Sequence, residues 1–284
     1  MINMKISEVK AILEQQPTAE QLAQLQQDTR AGVQKLLQGY YKRLDKLCQE
    51  KERFYKLQEF ERKFYGEGAR YICGIDEAGR GPLAGPLVIA GVIMPQDFFI
   101  SGLNDSKQLS AAKRDAIYDQ ILQTAVAVCV NVVSVSNIDS LNIYRATQQG
   151  MEEIISHLQV HPDVALIDAM PVHSAGVKIA SIIHGDALSV SIAAASIVAK
   201  VTRDRIMELL DKQYPEYGFA GHKGYGSASH MQAIREHGAT MWHRRSYEPV
   251  KSMNITAAPS MPNELYNPLE TAFRDIPTIY LKNK

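Results

Sequence analysis

The 284-residue sequence has no excess of either charge: 31 lysines and arginines balance 31 aspartates and glutamates. It has a single tryptophan and three cysteines, Cys48, Cys73 and Cys129, far apart and without a CxxC pair. That spacing excludes a disulfide framework and a thiolate zinc module. Long apolar runs are missing as well: the segment Leu87–Ala90 resumes at Val92–Met94 and stops, far short of the ~20 residues that a membrane span needs. The opening MINMKISEVK contains no apolar stretch of the kind that directs secretion. Hydrophobic residues nonetheless make up 45% of the chain, enough for a sizeable core, so global disorder is excluded. The expectation is a cytoplasmic globular protein with reduced cysteines. Zero net charge, taken alone, speaks against a nucleic-acid partner.

The average conceals a pattern. Residues 1–70 carry 13 basic and 10 acidic side chains, residues 71–199 carry 6 and 12, and residues 200–251 carry 9 and 6. The last 33 residues carry 3 of each. An acidic centre between basic arms suits a metal-dependent enzyme that acts on a polyanion.

Residues 1–70 read as helical. Thr18 and Gln21 form a capping-box pattern after Pro17. Leu22, Leu25, Val33, Leu36, Leu37, Tyr40, Leu44, Leu47, Phe54, Leu57 and Phe60 recur at three- and four-residue steps, which predicts an apolar stripe on one helix or on two in series. Gly66 and Gly68 mark the boundary. Beyond them, Tyr71–Ile75 and Leu87–Met94 read as strands, 110–125 as a helix, Ala125–Val135 as a strand and 138–158 as a helix. Val164–Ile167 reads as a buried strand, Val177–Ile183 as a further strand and 188–213 as a long helix with a small-residue face. Meandering strands that give way to strand–helix alternation predict an α/β domain over 71–251 with a mixed central sheet flanked by helices. The tail, 252–284, with four prolines, is expected to be loosely ordered.

Four acids fall at the ends of these elements: Asp76 and Glu77 after the first strand, Asp168 after the buried strand, and Asp186 before the long helix. Each singly has an ordinary reading, as a turn residue or, for Asp186, a helix cap. Together they form an oxygen-only set suited to Mg²⁺ or Mn²⁺. Two such ions serve in-line attack by water on a phosphodiester. Gly79-Arg80-Gly81 places exposed amides beside a guanidinium, a combination suited to a phosphate or a sugar hydroxyl. Residues 219–227, FAGHKGYGS, followed by Arg235, His243, Arg244 and Arg245, interleave glycine with basic and aromatic side chains, as contact with backbone phosphates and stacking require. His222, His230, His237 and His243 lack metal-pair spacing and read as solvated or phosphate-facing. Arg203-Asp204-Arg205 reads as a salt-bridged surface.

The segments GIDEAGRGPLAGPLVIAGVI (74–93), NDSKQLS (104–110), ALIDAM (165–170), GDALSVSIAAASIVAKVTRDR (185–205) and YPEYGFAGHKGYGS (214–227) resemble bacterial ribonuclease HII, over roughly residues 71–250 and in that family's order. The resemblance implies a ribonuclease H-like α/β fold and a substrate that is an RNA/DNA hybrid or duplex DNA with an embedded ribonucleotide. It implies cleavage 5′ of the ribonucleotide, leaving 3′-hydroxyl and 5′-phosphate ends. Asp76, Glu77, Asp168 and Asp186 would be the catalytic, metal-binding acids. Gly79, Arg80 and Gly81 would contact the ribose 2′-hydroxyl and its phosphate, and Tyr225 would stack under the sugar. Ser106, Lys107 and Lys200 would contact phosphates. A monomer with no membrane association is expected. The role of the amino-terminal extension does not carry over, although Lys42-Arg43 and Arg62-Lys63 would suit an accessory nucleic-acid contact. The alternatives are another nuclease of the same fold, such as a junction resolvase, and a non-catalytic nucleic-acid-binding protein.

Overall fold

The computed structural model describes residues 4–253 and the backbone of 279–281. The chain divides into two compact units, residues 1–56 and 57–284. The first contains helices α1 (Ile6–Glu14), α2 (Ala19–Gln26) and α3 (Ala31–Leu57). Their apolar stripes close on a small core of Val9, Leu13, Leu25, Val33 and Leu37. The capping box of α2 is present: the Thr18 hydroxyl accepts from the Gln21 amide at 3.2 Å, and the Thr18 amide donates to the Gln21 side chain at 2.9 Å. More helices form than the apolar stripe suggests. Ion-paired Asp28 and Arg30 sit at one break, and a fourth helix, α4 (Glu59–Gly66), follows α3 directly.

Helix α4 folds with the larger unit, where Phe64 packs with Ile72, Val164, Leu166 and Ile192. This unit is built on β1 (Ile72–Ala78), β2 (Leu87–Ile93), α5 (Ala111–Thr124), β3 (Ala127–Val133), α6 (Val135–Leu141), α7 (Ile143–His157), β4 (Val164–Asp168) and β5 (Lys178–Ile182). It continues with α8 (Val190–Gln213), α9 (Phe219–His222), α10 (Ala228–His237) and the short strand β6 (Ile279–Leu281). The sheet order is β5-β4-β1-β2-β3-β6. Strands β1, β2 and β3 form an antiparallel meander, whereas β4, β5 and β6 add in parallel. The mixed sheet with flanking helices is the architecture expected from the sequence. The loosely ordered tail expected over 252–284 falls, apart from β6, mostly outside the described residues.

Two local features depart from expectation or explain a composition. The helix expected over 138–158 is interrupted at Asn142, whose backbone turns to φ +67° and whose side chain caps α7 by accepting from the Arg145 amide. The small-residue face of α8 exists because its backbone lies directly on β1. A Cβ on Gly74 would sit 2.0 Å from the Ser191 carbonyl carbon, so only glycine permits that approach. On the opposite layer α7 contributes Met151, Ile154 and Ile155 to the main core. Buried Glu61 of α4 caps the start of α8, accepting from the Ser189 hydroxyl at 2.5 Å and the Ser191 amide at 3.0 Å. Burial raises its carboxyl above the ordinary range.

Candidate active site

Strands β1 and β4 run in parallel, and the register pairs Ile75 with Ile167. The next residue on each is an acid, Asp76 and Asp168, so neighbouring strand ends deliver two carboxylates to the same sheet edge. Asp76 is buried, and its pKa is pushed well above the ordinary carboxylate value by desolvation, then by the charges of Glu77 and Asp168. Glu77 is raised by burial against the lowering influence of Arg80, 3.5 Å away. Among the described residues its buried Oε2 has no hydrogen-bond partner. Asp168 is raised by burial although it accepts from the Gly185 amide at 2.8 Å. A cleft of about 430 Å³ is walled by these three acids together with Gly79, Arg80, Gly81, Ser106, Lys107, Lys200 and Tyr225.

Asp186 is not on that wall. It lies buried in a 3-10 turn, Gly185–Ala187, and its Oδ2 accepts from the ammonium of Lys107 at 3.1 Å. The cap of α8 is Ser189, which accepts from Ile192, so Asp186 is not used as a helix cap. The weaker candidates are already engaged. The Ser106 and Ser196 hydroxyls share a hydrogen bond at 2.8 Å, and Lys200 binds Asp204 at 2.6 Å. Among the described residues no three His, Cys, Asp or Glu side chains converge as a finished ligand cluster. The donor set still fits a hard divalent cation. It is oxygen-only, it includes a buried oxygen of Glu77 with no hydrogen-bond partner among the described residues, and the carboxyls of Asp76, Glu77 and Asp168 are raised by burial and by neighbouring charge.

Two arginines lie behind the Gly79–Gly81 loop: Arg244 bonds the Gly79 and Arg80 carbonyls, and Arg203 those of Ala84 and Pro86. Arg203 was expected at the surface but is 1% exposed, and Arg244 is fully buried. Asp204 and Arg205 do form surface pairs, with Lys200 and with Asp115. Desolvation lowers both buried guanidiniums, Arg203 to about 10. One signal could have found Arg203: it continues the inward stripe of α8 that runs through Ser196, Ala199 and Met207, all buried.

Three of the four histidines also depart from expectation, His222 because both its ring nitrogens bond backbone, to the Tyr217 carbonyl at 2.7 Å and from the Gly224 amide at 3.1 Å. His230 and His243 are buried, with their Nε2 atoms 3.1 Å apart. His243 Nδ1 accepts from the Thr240 amide at 2.9 Å. That bond fixes the proton on His243 Nε2, which donates to His230 Nε2, and His230 Nδ1 then donates to the Tyr225 carbonyl at 2.9 Å. The relay anchors the backbone of Tyr225, whose ring stays half-exposed on the cleft. Burial lowers His230 to about 4 and His243 to about 3. The unfolded chain therefore takes up protons first, and this pair's contribution is lost as pH falls below about 6.5. The raised carboxyls of Asp76 and Glu61 act with the opposite sign, so a difference measurement is required. Between pH 7 and 4.5 the protein should lose about 2–3 kcal/mol of stability relative to His243→Gln. Parallel urea-unfolding profiles for the two proteins would refute this.

Residues 73–250 match the family model described as Ribonuclease HII, which is more than half of the chain. The chain belongs to the ribonuclease HII family. Residues 5–65 match a second model, described as Ribonuclease HII N-terminal domain, so the helical extension has a counterpart of its own in the family. The chain is 48% identical over 255 residues to the ribonuclease HII of Bacillus cereus strain B4264, covering 89% of this chain and 99% of that protein. It is 51% identical over 226 residues to that of Bacillus anthracis, covering 80% and 88%. Among solved structures, the ribonuclease H2 of Pyrococcus horikoshii OT3 superposes with a TM-score of 0.56 at 27% identity, covering 64% of this chain and 96% of that one. The ribonuclease HII of Archaeoglobus fulgidus, solved in a complex with PCNA, superposes at 0.54 with 27% identity, covering 63% and 95%. Family membership makes the chain an enzyme, a ribonuclease H, on the ribonuclease H-like fold.

Proposed function

We propose that this ribonuclease H cuts the RNA strand of RNA/DNA hybrids and the 5′ side of single ribonucleotides embedded in duplex DNA, leaving 3′-hydroxyl and 5′-phosphate ends. The observation that carries the reading is the shared cleft. Asp76, Glu77 and Asp168 line the same walls as the Gly79–Gly81 loop and Tyr225. One cleft thus joins a hydrolytic carboxylate set to groups that can test for a sugar hydroxyl. The 2′-hydroxyl alone distinguishes RNA from DNA at one nucleotide, and backbone amides can read it without regard to base.

Asp76, Glu77, Asp168 and Asp186 would hold two Mg²⁺ or Mn²⁺ ions, which when bound supply an activated water and charge stabilisation for the leaving oxygen. Arg80 places a guanidinium at the cleft where a phosphate can take two hydrogen bonds. Tyr225 offers a ring face for a sugar. Lys107, paired with Asp186, and Lys200, paired with Asp204, also line the cleft, where they would contact phosphates. No helix among the described residues is long and apolar enough to cross a membrane, in keeping with a cytoplasmic role in removing ribonucleotides from DNA. The proposed partner is the duplex itself, bound by a monomer.

The test is incubation of the full chain with a duplex bearing one ribonucleotide, in Mg²⁺, Mn²⁺ or EDTA, followed by mapping of the cut. A single metal-dependent break 5′ of the ribonucleotide is expected. Preferential cutting of a four-way junction would favour a resolvase, and binding without cutting in either metal would favour a non-catalytic protein.

A further inference from the structure

We infer that Arg203 and Arg244 are the positioning residues of ribonucleotide recognition: Arg244 draws the Gly79 and Arg80 carbonyls inward and so turns the loop's amides toward the cleft, and Arg203 ties the adjoining Ala84–Pro86 segment to the one that carries Tyr225. The inference rests on the functional reading above and identifies what gives the recognition loop its shape.

Each guanidinium is spent on backbone. Arg244 donates from Nη2 to the Gly79 carbonyl at 2.6 Å, from Nη1 to that of Arg80 at 2.9 Å, and from Nε and Nη2 to that of Gly85 at 3.1 and 2.9 Å. Arg203 donates from Nε to the Pro86 carbonyl at 3.1 Å, from Nη2 to that of Ala84 at 3.1 Å, and from Nη1 to that of Lys223 at 2.9 Å. Apart from a bond between Arg244 and the Tyr247 hydroxyl at 3.2 Å, these hydrogen bonds all end on carbonyls, and none ends on a carboxylate. Two neighbouring buried cations that bond no carboxylate directly are expensive. Their cost is tolerable because every guanidinium nitrogen donates, through five hydrogen bonds from Arg244 and three from Arg203, and the planar fork spreads these over several carbonyls.

The geometry has a direct consequence. In a trans peptide the N–H points opposite to the C=O of the same unit. With the Gly79 and Arg80 carbonyls drawn to Arg244, the amides of Arg80 and Gly81 must point away from it, on the side where Gly79, Arg80 and Gly81 wall the cleft. The Tyr247 hydroxyl reinforces this by donating to the Arg80 carbonyl at 2.7 Å. Arg203 performs a second task. By joining the Ala84 and Pro86 carbonyls to that of Lys223, it ties the loop to the segment that carries Tyr225. A backbone bond from the Leu83 amide to the Gly224 carbonyl, 2.8 Å, runs alongside. One side chain thereby sets the spacing between the amides that read a 2′-hydroxyl and the ring that meets its sugar.

The test compares the full chain with Arg244→Lys, Arg203→Lys and Tyr247→Phe. Affinity is measured in EDTA for a duplex with one ribonucleotide and for the same duplex in all-DNA form, so that nothing is cut. KM and kcat are then measured in Mg²⁺, with a thermal melt of each protein. A lysine keeps the charge and loses the fork. Arg244→Lys should lower the ribonucleotide preference at least tenfold with all-DNA affinity within twofold of the parent. Arg203→Lys should raise KM for the single-ribonucleotide duplex and spare KM for an all-RNA/DNA hybrid, which makes many sugar contacts. Tyr247→Phe keeps the half-buried ring and removes only the hydroxyl that links Arg244 to the Arg80 carbonyl, so it should still fold and show a smaller loss of the same kind. A folded Arg244→Lys or Tyr247→Phe with undiminished preference would overturn the inference, as would equal weakening of both duplexes. If Arg244→Lys does not fold, the Tyr247→Phe ratio decides. Should the parent itself show no preference for the ribonucleotide, the functional reading would be at fault.

Discussion

Replacing Asp76 with Asn should lower the cleavage rate roughly a thousandfold or more and at the same time raise the melting temperature of the metal-free protein. The two effects have one cause. Asp76 is buried beside Glu77 and Asp168, and both desolvation and their charges oppose its ionised form. Carboxylates that oppose one another's charge give a doubly charged cation its binding energy. Asn keeps the volume and retains an oxygen to accept the Glu77 amide, now at 2.7 Å, while removing the charge. Single-turnover cleavage of a single-ribonucleotide duplex measures the first effect and calorimetry in EDTA the second. Near-parental turnover would remove Asp76 from the chemistry. A lowered melting temperature would mean that its charge is compensated by groups other than a bound ion. Hybrid affinity in EDTA should survive the substitution, since the Gly79–Gly81 loop and Tyr225 are untouched.

The parts of this molecule that were legible in its sequence are those written locally. Strands β1, β2 and β4 announce themselves through β-branched runs, and the capping box of α2 through Thr18 and Gln21. Asp76, Glu77 and Asp168 stand out because a charge directly after a buried apolar strand is costly unless it has a task. The zero net charge conceals their concentration in one segment. What remained illegible depends on partners remote in sequence. Arg203 reaches Pro86 across 117 positions, and Arg244 reaches Gly79 across 165. An arginine next to Asp204 looks like an ion pair until the inward face of α8 is known. His230 and His243 were misread for the same reason: their neutrality follows from burial against Phe219 and each other, which no local spacing encodes. The break at Asn142 escaped notice because Asn tolerates positive φ without a glycine to mark it. Chemistry at strand ends is local, whereas the scaffold that orients it is assembled from distant segments.

Gly79→Ala should be the most damaging single-methyl change in the recognition loop, with a loss of about 2–5 kcal/mol and of most ribonucleotide cleavage. Gly79 has φ +96°, and a Cβ there would lie 2.0 Å from Arg203 Nε and 2.4 Å from its Cδ. A flexible surface arginine would step aside. Arg203 cannot do so without abandoning three carbonyls, one of which ties in the Tyr225 segment. The methyl group therefore either strains the loop or breaks the clamp, and both routes disturb the amides. Gly81, two residues on, supplies the control, since its Cβ would meet nothing closer than the Tyr225 ring at 3.7 Å. Gly81→Ala should melt within a degree or two of the parent, and any deficit should appear in cleavage alone. The clash predicts a further sign: Arg203→Ala should cost less in the Gly79→Ala background than in the parent, because the methyl group has already displaced the side chain. Additive losses would show instead that Gly79→Ala acts through its backbone strain, with Arg203 uninvolved.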